Sequence, residues 1–308
     1  MSEWVPDVAR LQAREDDEWL RVERAFCGRL LAYAHRRVGD RQAAEDVVQE
    51  TLLGAVRGID EFDLQFTFEQ YLFGICKNRT IDHLRRRKAR TIQLREEEEG
   101  PQPIEHLARE TETPSAIVRG RELSARAQEL YARILREWVE ETWNEREFLR
   151  LCVIEALFSG QWRNRDVWKR FDLRDETAVA GIKFRALKRL GQLAAVKESG
   201  GDLLRYLAAA EENDEHVFDV DIRAIWRDKR VSCPARHWIA RRVAGTLEPD
   251  AELFIRFHLE EMKCPWCLAN RDDLSRAGQA AELEILIERL RESTRRYLRS
   301  RRGPDPVT

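Results

Sequence analysis

Apolar residues in this chain recur at helical spacing and nowhere in sustained alternation, which points to an all-α fold. Phe68, Leu72, Ile75 and Cys76 fall at i, i+4, i+7 and i+8, one core-facing stripe. Comparable stretches rich in Ala, Leu, Glu and Arg run over 19–58, with a break at Gly39 and Asp40, and over 68–90 after a short connector at 62–67. The pattern resumes near Ala125 and continues to about Leu193, with a turn around 159–164. A closing helix spans about 278–301, where Leu283, Ile287, Leu290, Thr294 and Tyr297 alternate spacings of four and three. Such a seam docks onto its own chain and is too short for a coiled coil.

Charge is distributed with equal structure. In AEDVVQETL (44–52), Glu45 and Gln49, and Asp46 and Glu50, stand one helical turn apart and form an acidic, amide-bearing ridge. In YLFGICKNRTIDHLRRRKAR (71–90), seven Lys or Arg residues face a single Asp. Asn78, Asp82, Arg85 and Arg86 share one stripe there, suited to phosphates and, through Asn and Arg, to base edges. Tyr71, Phe66 and Phe68 are candidates for stacking unpaired bases, and each is equally a candidate core residue. Taken alone, the ridge is a solvated helix face and LRRRKAR a basic helix end set against the macrodipole.

At 308 residues the chain has room for two or three domains. Its net charge of −2 neither requires nor excludes nucleic acid, because the basic character is local. With 36% charged residues and a mean hydropathy of −0.59, the expectation is a solvated surface. No run approaches a membrane span and MSEWVPDVAR lacks a signal-peptide apolar core, so the expected location is cytoplasmic. A run of glutamates at 96–99, then GPQP and Pro114, reads as an acidic linker.

The six cysteines do not form a disulfide framework. Cys27, Cys76 and Cys152 sit singly in apolar helical contexts, as small hydrophobes. Cys233, Cys264 and Cys267 cluster late in the chain, where CPWC supplies a metal-type or redox-type pair. With His258 they can complete a tetrahedral, closed and therefore structural zinc site. A thioredoxin-like use of CPWC needs a strand–helix context that this sequence lacks.

The ridge and the basic helix together resemble region 2 of the sigma-70 family, in its compact extracytoplasmic-function type. Asp46, Gln49 and Glu50 match a D-x-x-Q-E segment. Leu72, Ile75, Asn78, Asp82 and Arg85 match a W-L-x-x-I-A-x-N-x-x-x-D-x-x-R segment, Tyr71 and Cys76 departing from its Trp and Ala. The resemblance implies that Asp46, Gln49 and Glu50 face the core RNA polymerase. It also implies that Lys77, Asn78, Asp82, Arg85 and Arg86, with Tyr71, lie at the −10 element of promoter DNA.

The segment from Phe148 to Leu190 resembles the helix-turn-helix of sigma region 4. Val167, Phe171 and Leu173 would pack against Val179 and Leu187 across a turn at 174–177, with Thr177 as N-cap. The departures from that pattern are Asp166, Val167 and Trp168 in place of E-I-A, and Ala180 and Ile182 where basic residues are usual. Arg174, Thr177, Lys183 and Arg185 are the expected −35 contacts. The Cys/His segment resembles a zinc-binding anti-sigma domain, with five residues between His258 and Cys264 instead of three. That spacing makes His237 the substitute ligand for His258.

The resulting expectation is an all-α chain with an N-terminal arm (1–18), sigma region 2 (19–91), an acidic linker (92–124) and region 4 (125–195). A connector (196–230), a zinc-binding anti-sigma-like domain (231–271) and a C-terminal helix with a tail (272–308) follow. The expected function is non-enzymatic: binding core RNA polymerase, reading −10 and −35 elements, and initiating transcription. The C-terminal domain would contact the sigma domains intramolecularly and modulate them in cis. The alternatives are a polymerase-independent helix-turn-helix regulator that senses metal or redox state, and an anti-sigma-type interaction protein.

Overall fold

A computed structural model describes residues 4–64, 66–99, 114–197, 222–276 and 280–301, and every regular element among them is helical. The chain divides into two units, Met1–Glu105 with Leu268–Thr308, and His106–Cys267. Among the described residues no helix is long and apolar enough to cross a membrane.

The first unit holds α1 (Val8–Gln12), α2 (Asp16–Val38), α3 (Arg41–Gly58) and α4 (Phe68–Glu99). The break expected at Gly39 and Asp40 is two caps back to back. Gly39 takes the left-handed φ of +79° and donates its N–H to the His35 carbonyl at 2.9 Å, closing α2. Asp40 then accepts the Ala43 N–H at 2.8 Å and opens α3.

Phe68 is buried and meets Trp19, Phe26 and Phe62 edge-on, at centroid distances of 6.3, 6.1 and 5.9 Å. Leu72 and Cys76 are buried as the stripe requires, and Ile75 is half-buried. The structure widens that stripe with Phe73 and Thr80, because α4 packs against both α2 and α3.

The expected linker is partly helical: α4 runs to Glu99, and α5 begins at Pro114. Residues 100–113, with the GPQP motif, lie outside the described residues, as do 198–221 of the connector and 302–308 of the tail.

The closing helix, labelled α13 below (Ala280–Arg301), packs on α2 and α3 of the same unit. Ile287, Leu290 and Thr294 are buried and Leu283 and Tyr297 half-buried, with Leu286 and Leu298 adding to the seam. The last turns of α12 (Pro265–Ser275) also lie against α2. Arg29 donates to Asn270 at 3.4 Å, Arg36 to Asp272 at 2.5 Å, and a Cβ on Gly28 would stand 1.9 Å from Asp273 Oδ1.

The second unit comprises α5 (Pro114–Asn144), α6 (Phe148–Phe158), α7 (Asn164–Arg170), α8 (Glu176–Lys197), α9 (Ile222–Asp228), α10 (Arg236–Val243), α11 (Pro249–Arg256), a π-helical turn at Phe257–Glu261 and the start of α12. Helix α6 is its centre, with Phe148 and every residue from Leu151 to Ala156 buried. Trp143 joins α5 to Phe148, Trp238 and Phe254 through ring contacts of 5.1, 5.2 and 5.6 Å. The Cys/His segment therefore shares its core with α5–α8.

Glu23 on α2 is 1% exposed, and neither carboxylate oxygen has a hydrogen-bond partner. Thr294, opposite it on α13, donates instead to the Leu290 carbonyl at 3.3 Å. Burial pushes the Glu23 carboxyl up from 4.5 to about 7; Thr294, Arg291 and Arg295 oppose the shift and Asp16 adds to it. A carboxyl that binds its proton more tightly when folded loses stability as pH rises from 4.5 through about 7. Glu23→Gln removes this titration. Thermal melts at pH 4.5 and pH 8 are expected to show a gain in unfolding temperature at pH 8 that is absent or much smaller at pH 4.5. Equal shifts at both pH values would refute this account.

Candidate nucleic-acid interface and metal centre

The acidic ridge of α3 is divided into a covered edge and an open one. Glu45 is buried, accepts from Arg41 Nε at 3.1 Å and pairs with Arg289 of α13. Gln49 is half-buried and donates from Nε2 to Ser293 Oγ of α13 at 2.8 Å. Asp46 is exposed, and Glu50 pairs with Arg86 of α4 at 3.5 Å.

On α4, Asn78, Arg85 and Arg86 are exposed, and Lys77 and Asp82 are half-buried. Basic and amide groups thus stand on one accessible side of the helix beside the ridge. Phe68 is core, the second of its two readings. Tyr71 is half-buried, tilted against Phe62 with centroids 5.1 Å apart, and donates its hydroxyl to the Ala55 carbonyl at 3.0 Å. Burial, with Glu61 and Asp60, pushes its phenol up to about 12. Gly58 makes room for it, since a Cβ there would meet the Tyr71 hydroxyl at 2.9 Å.

The α7–α8 pair has the expected turn with a different register. Val167 and Val179 are buried and Phe171 and Leu173 half-buried, but Leu187 is 48% exposed. Ala186 takes its place in a seam Val179, Ala186, Leu193, repeating every seventh residue. The N-cap is Asp175 and not Thr177: Asp175 Oδ1 accepts the Ala178 N–H at 2.9 Å, and Thr177 lies exposed inside the first turn. That bond and Arg174, 3.0 Å away, hold the Asp175 carboxyl below its ordinary value. Arg174, Lys183 and Arg185 are exposed along α8 and its entry.

Cys233, His258, Cys264 and Cys267 converge, with their donor atoms all within 4.8 Å of one another. The Cys233 and Cys264 sulfurs are 3.5 Å apart, and His258 Nε2 lies 3.2 Å from the Cys267 sulfur. The long interval between His258 and Cys264 is absorbed by the π turn and by Lys263 at φ +50°. His237 is exposed beside Trp238 and takes no part in the cluster.

The hydrogen bond to Cys264, together with burial, pushes the Cys233 thiol up to about 11, against Cys267 and His258. Burial raises Cys267 well above the ordinary range, aided by the other two thiols. At Cys264 burial is outweighed by hydrogen bonds from Cys233 and Cys267 and by His258, and its thiol sits well below that range. Burial also opposes protonation of His258, but Glu155 and Cys264 prevail and hold it well above 6.5. Three sulfurs and one imidazole nitrogen fit a metal ion with soft or borderline preference, in a closed site.

Comparison with known proteins bears on the first unit. Residues 24–90 match the Sigma-70 region 2 family, a span that falls on α2–α4. A probable RNA polymerase sigma factor of Haemophilus influenzae is 38% identical over 58 residues, 19% of this chain and 30% of the relative. The ECF RNA polymerase sigma factor SigW of Bacillus subtilis is 27% identical over 81 residues, 26% of this chain and 43% of the relative. The ECF RNA polymerase sigma factor BldN of Streptomyces coelicolor is 35% identical over 79 residues, 25% of this chain and 30% of the relative. The chain thus spans less than half the length of each of these relatives. No solved structure matches significantly.

The two readings of the α8 start differ in outcome. Asp175→Ala is expected to cost about 1 kcal/mol of stability. Thr177→Ala should stay within about 0.5 kcal/mol. Urea denaturation followed by circular dichroism measures both, and the reverse ranking would reinstate Thr177 as the cap.

Proposed function

We propose that this chain is a sigma factor of the extracytoplasmic-function type, a non-enzymatic protein that brings core RNA polymerase to promoters. The observation that carries the reading is the region 2 match at residues 24–90, falling on helices with an acidic ridge and an exposed Asn/Arg face. Asp46, Gln49 and Glu50 meet the polymerase. Lys77, Arg85 and Arg86 neutralise phosphates near the −10 element, while Asn78 and Arg85 read base edges and Asp82 orients its basic neighbours. Tyr71 supports that helix from beneath through its bond to Ala55. Helix α8 presents Lys183 and Arg185 to the −35 element, with Arg174 and Thr177 at its entry.

Zinc is the ion that best suits three thiolates and an imidazole in a closed site, with Cys233, His258, Cys264 and Cys267 as its ligands. When bound, it supplies cross-linking of the Cys/His segment and no open position for chemistry.

Modulation in cis belongs to the same proposal. Gln49 cannot serve a polymerase while bound to Ser293, and Glu45 is held by Arg289. Leu286, Ile287, Leu290 and Leu298 anchor the covering helix; each buried side chain is worth about 1.5–3 kcal/mol gross. A closed state favoured 99:1 needs only about 2.7 kcal/mol net, so docking of this size is reversible by a partner in excess.

Transcription from candidate promoters with purified core enzyme tests the reading; no initiation together with no core binding would sink it. Asn78→Ala with Arg85→Ala is expected to lower initiation at least about tenfold at unchanged core affinity. Leu290→Asp, which unseats α13, is expected to raise core affinity. An unchanged affinity in a folded Leu290→Asp protein would eliminate cis occlusion while leaving the sigma reading intact.

A further inference from the structure

Glu155 stands in the middle of FLRLCVIEALF, the apolar helix at the centre of the second unit, and it is only 2% exposed. A carboxylate at such a place costs several kcal/mol unless it is paired and hydrogen-bonded. Its partners are distant in sequence and converge on one oxygen. His258 Nδ1 lies 2.7 Å from Oε1, and Ser232 donates its hydroxyl to the same atom at 2.6 Å. Ser232 in turn accepts the indole N–H of Trp226 at 2.7 Å. Oε2 has no partner, so the carboxylate's hydrogen bonding is directed at the back of the imidazole and at the residue preceding Cys233.

The imidazole has two nitrogens, and the hydrogen bond at one determines what the other can do. With Nδ1 donating to Glu155, Nε2 is left to face the thiols, 3.2 Å from the Cys267 sulfur. We propose that Glu155 is the positioning residue of the metal centre, fixing the rotation and tautomer of His258 so that Nε2 is the ligand atom. The proposal rests on reading the Cys/His cluster as a metal site. Ser232 and Trp226 hold the carboxylate in place, so the centre is assembled by residues from α6, α9 and the turn after α9 as well as by its four ligands. Because α6 also forms the core beneath α7 and α8, the helix-turn-helix pair and the metal centre share one helix. A carboxylate behind a ligating histidine raises its basicity and restricts its orientation, and its loss costs about 10–100-fold in metal affinity.

The test uses the full chain. Zinc affinity is measured by competition with a chromophoric chelator, cobalt(II) absorption reports the ligand set, and melting of the metal-free protein reports the fold. Glu155→Gln keeps the shape and the bond to Ser232; it is expected to weaken zinc about 10–100-fold. Its metal-free melting should fall far less than that loss requires. His258→Ala should weaken zinc more, and adding Glu155→Gln to it should cost little further, because Glu155 acts through the imidazole. Additive losses in the double variant, or unchanged zinc affinity in Glu155→Gln, would overturn the proposal. Should Gln prevent folding, Glu155→Asp withdraws the carboxylate by one methylene and carries the same expectations. A wild-type chain that takes up neither zinc nor cobalt would instead remove the metal reading itself, and the inference with it.

Discussion

Helix α2 must be buried on more than one side, and the first unit is built around that requirement. Fourteen of its 23 residues are buried, more than a single apolar stripe supplies. One side packs on α3 and α4, meeting α4 through ring contacts of Trp19, Phe26 and Tyr33. Another receives α13 and the end of α12, where Gly28 permits close approach and Arg29 binds Asn270. Those partners lie about 240 residues downstream, so this side of α2 is covered by contacts of long sequence separation. The matched region 2 segment is therefore one part of a larger packing unit.

Two buried glutamates show how differently such cores accommodate charge. Glu155 is paired at one oxygen only: a hydroxyl and an imidazole meet Oε1 within 2.7 Å, which requires the segments holding Ser232 and His258 to be ordered against α6. Glu23 has no such partners, and burial raises its carboxyl to about 7, which ties the stability of the first unit to pH. The first solution specifies a geometry, because the partners must arrive in register. The second specifies only a protonation state, and it weakens the packing of α2 once that proton is lost.

Much of this was legible in sequence because helical periodicity and caps are local. The stripe Phe68, Leu72, Cys76, the break at Gly39 and Asp40, and the closing seam Ile287, Leu290, Thr294 all follow from residues within two or three turns. The failures were also local, where two neighbours competed. Asp175 and Thr177 both suit a helix start, and only the bond to Ala178 decides between them. Leu187 is the more apolar residue, yet the rotation of α8 turns Ala186 inward. Other features had no local signal. Glu155 is an anomaly in an apolar run until His258, 103 positions away, is placed beside it. The spacing that cast doubt on His258 is resolved by a π turn, which insertion length alone does not reveal.

The division of the α3 ridge bears on how a covered surface of this kind can be opened. Helix α13 grips Glu45 and Gln49 but leaves Asp46 exposed and Glu50 half-exposed against Arg86. On the proposed reading, a partner that needs the whole ridge does not have to wait for α13 to leave. It can bind first to Asp46 and then compete for Gln49, whose single hydrogen bond to Ser293 is worth about 0.5–1.5 kcal/mol net. The apolar seam beneath is the larger barrier, so displacement is governed by Leu286, Ile287, Leu290 and Leu298 more than by the ion pairs around them. Of those pairs, Arg24 with Glu284 and Arg41 with Glu282 are largely exposed and screened by salt, while Arg289 with Glu45 and Arg291 with Asp16 each keep one partner mostly buried. On the proposed reading, raising ionic strength alone would leave the ridge covered, and release would require a partner whose surface replaces the apolar contacts as well as the charges.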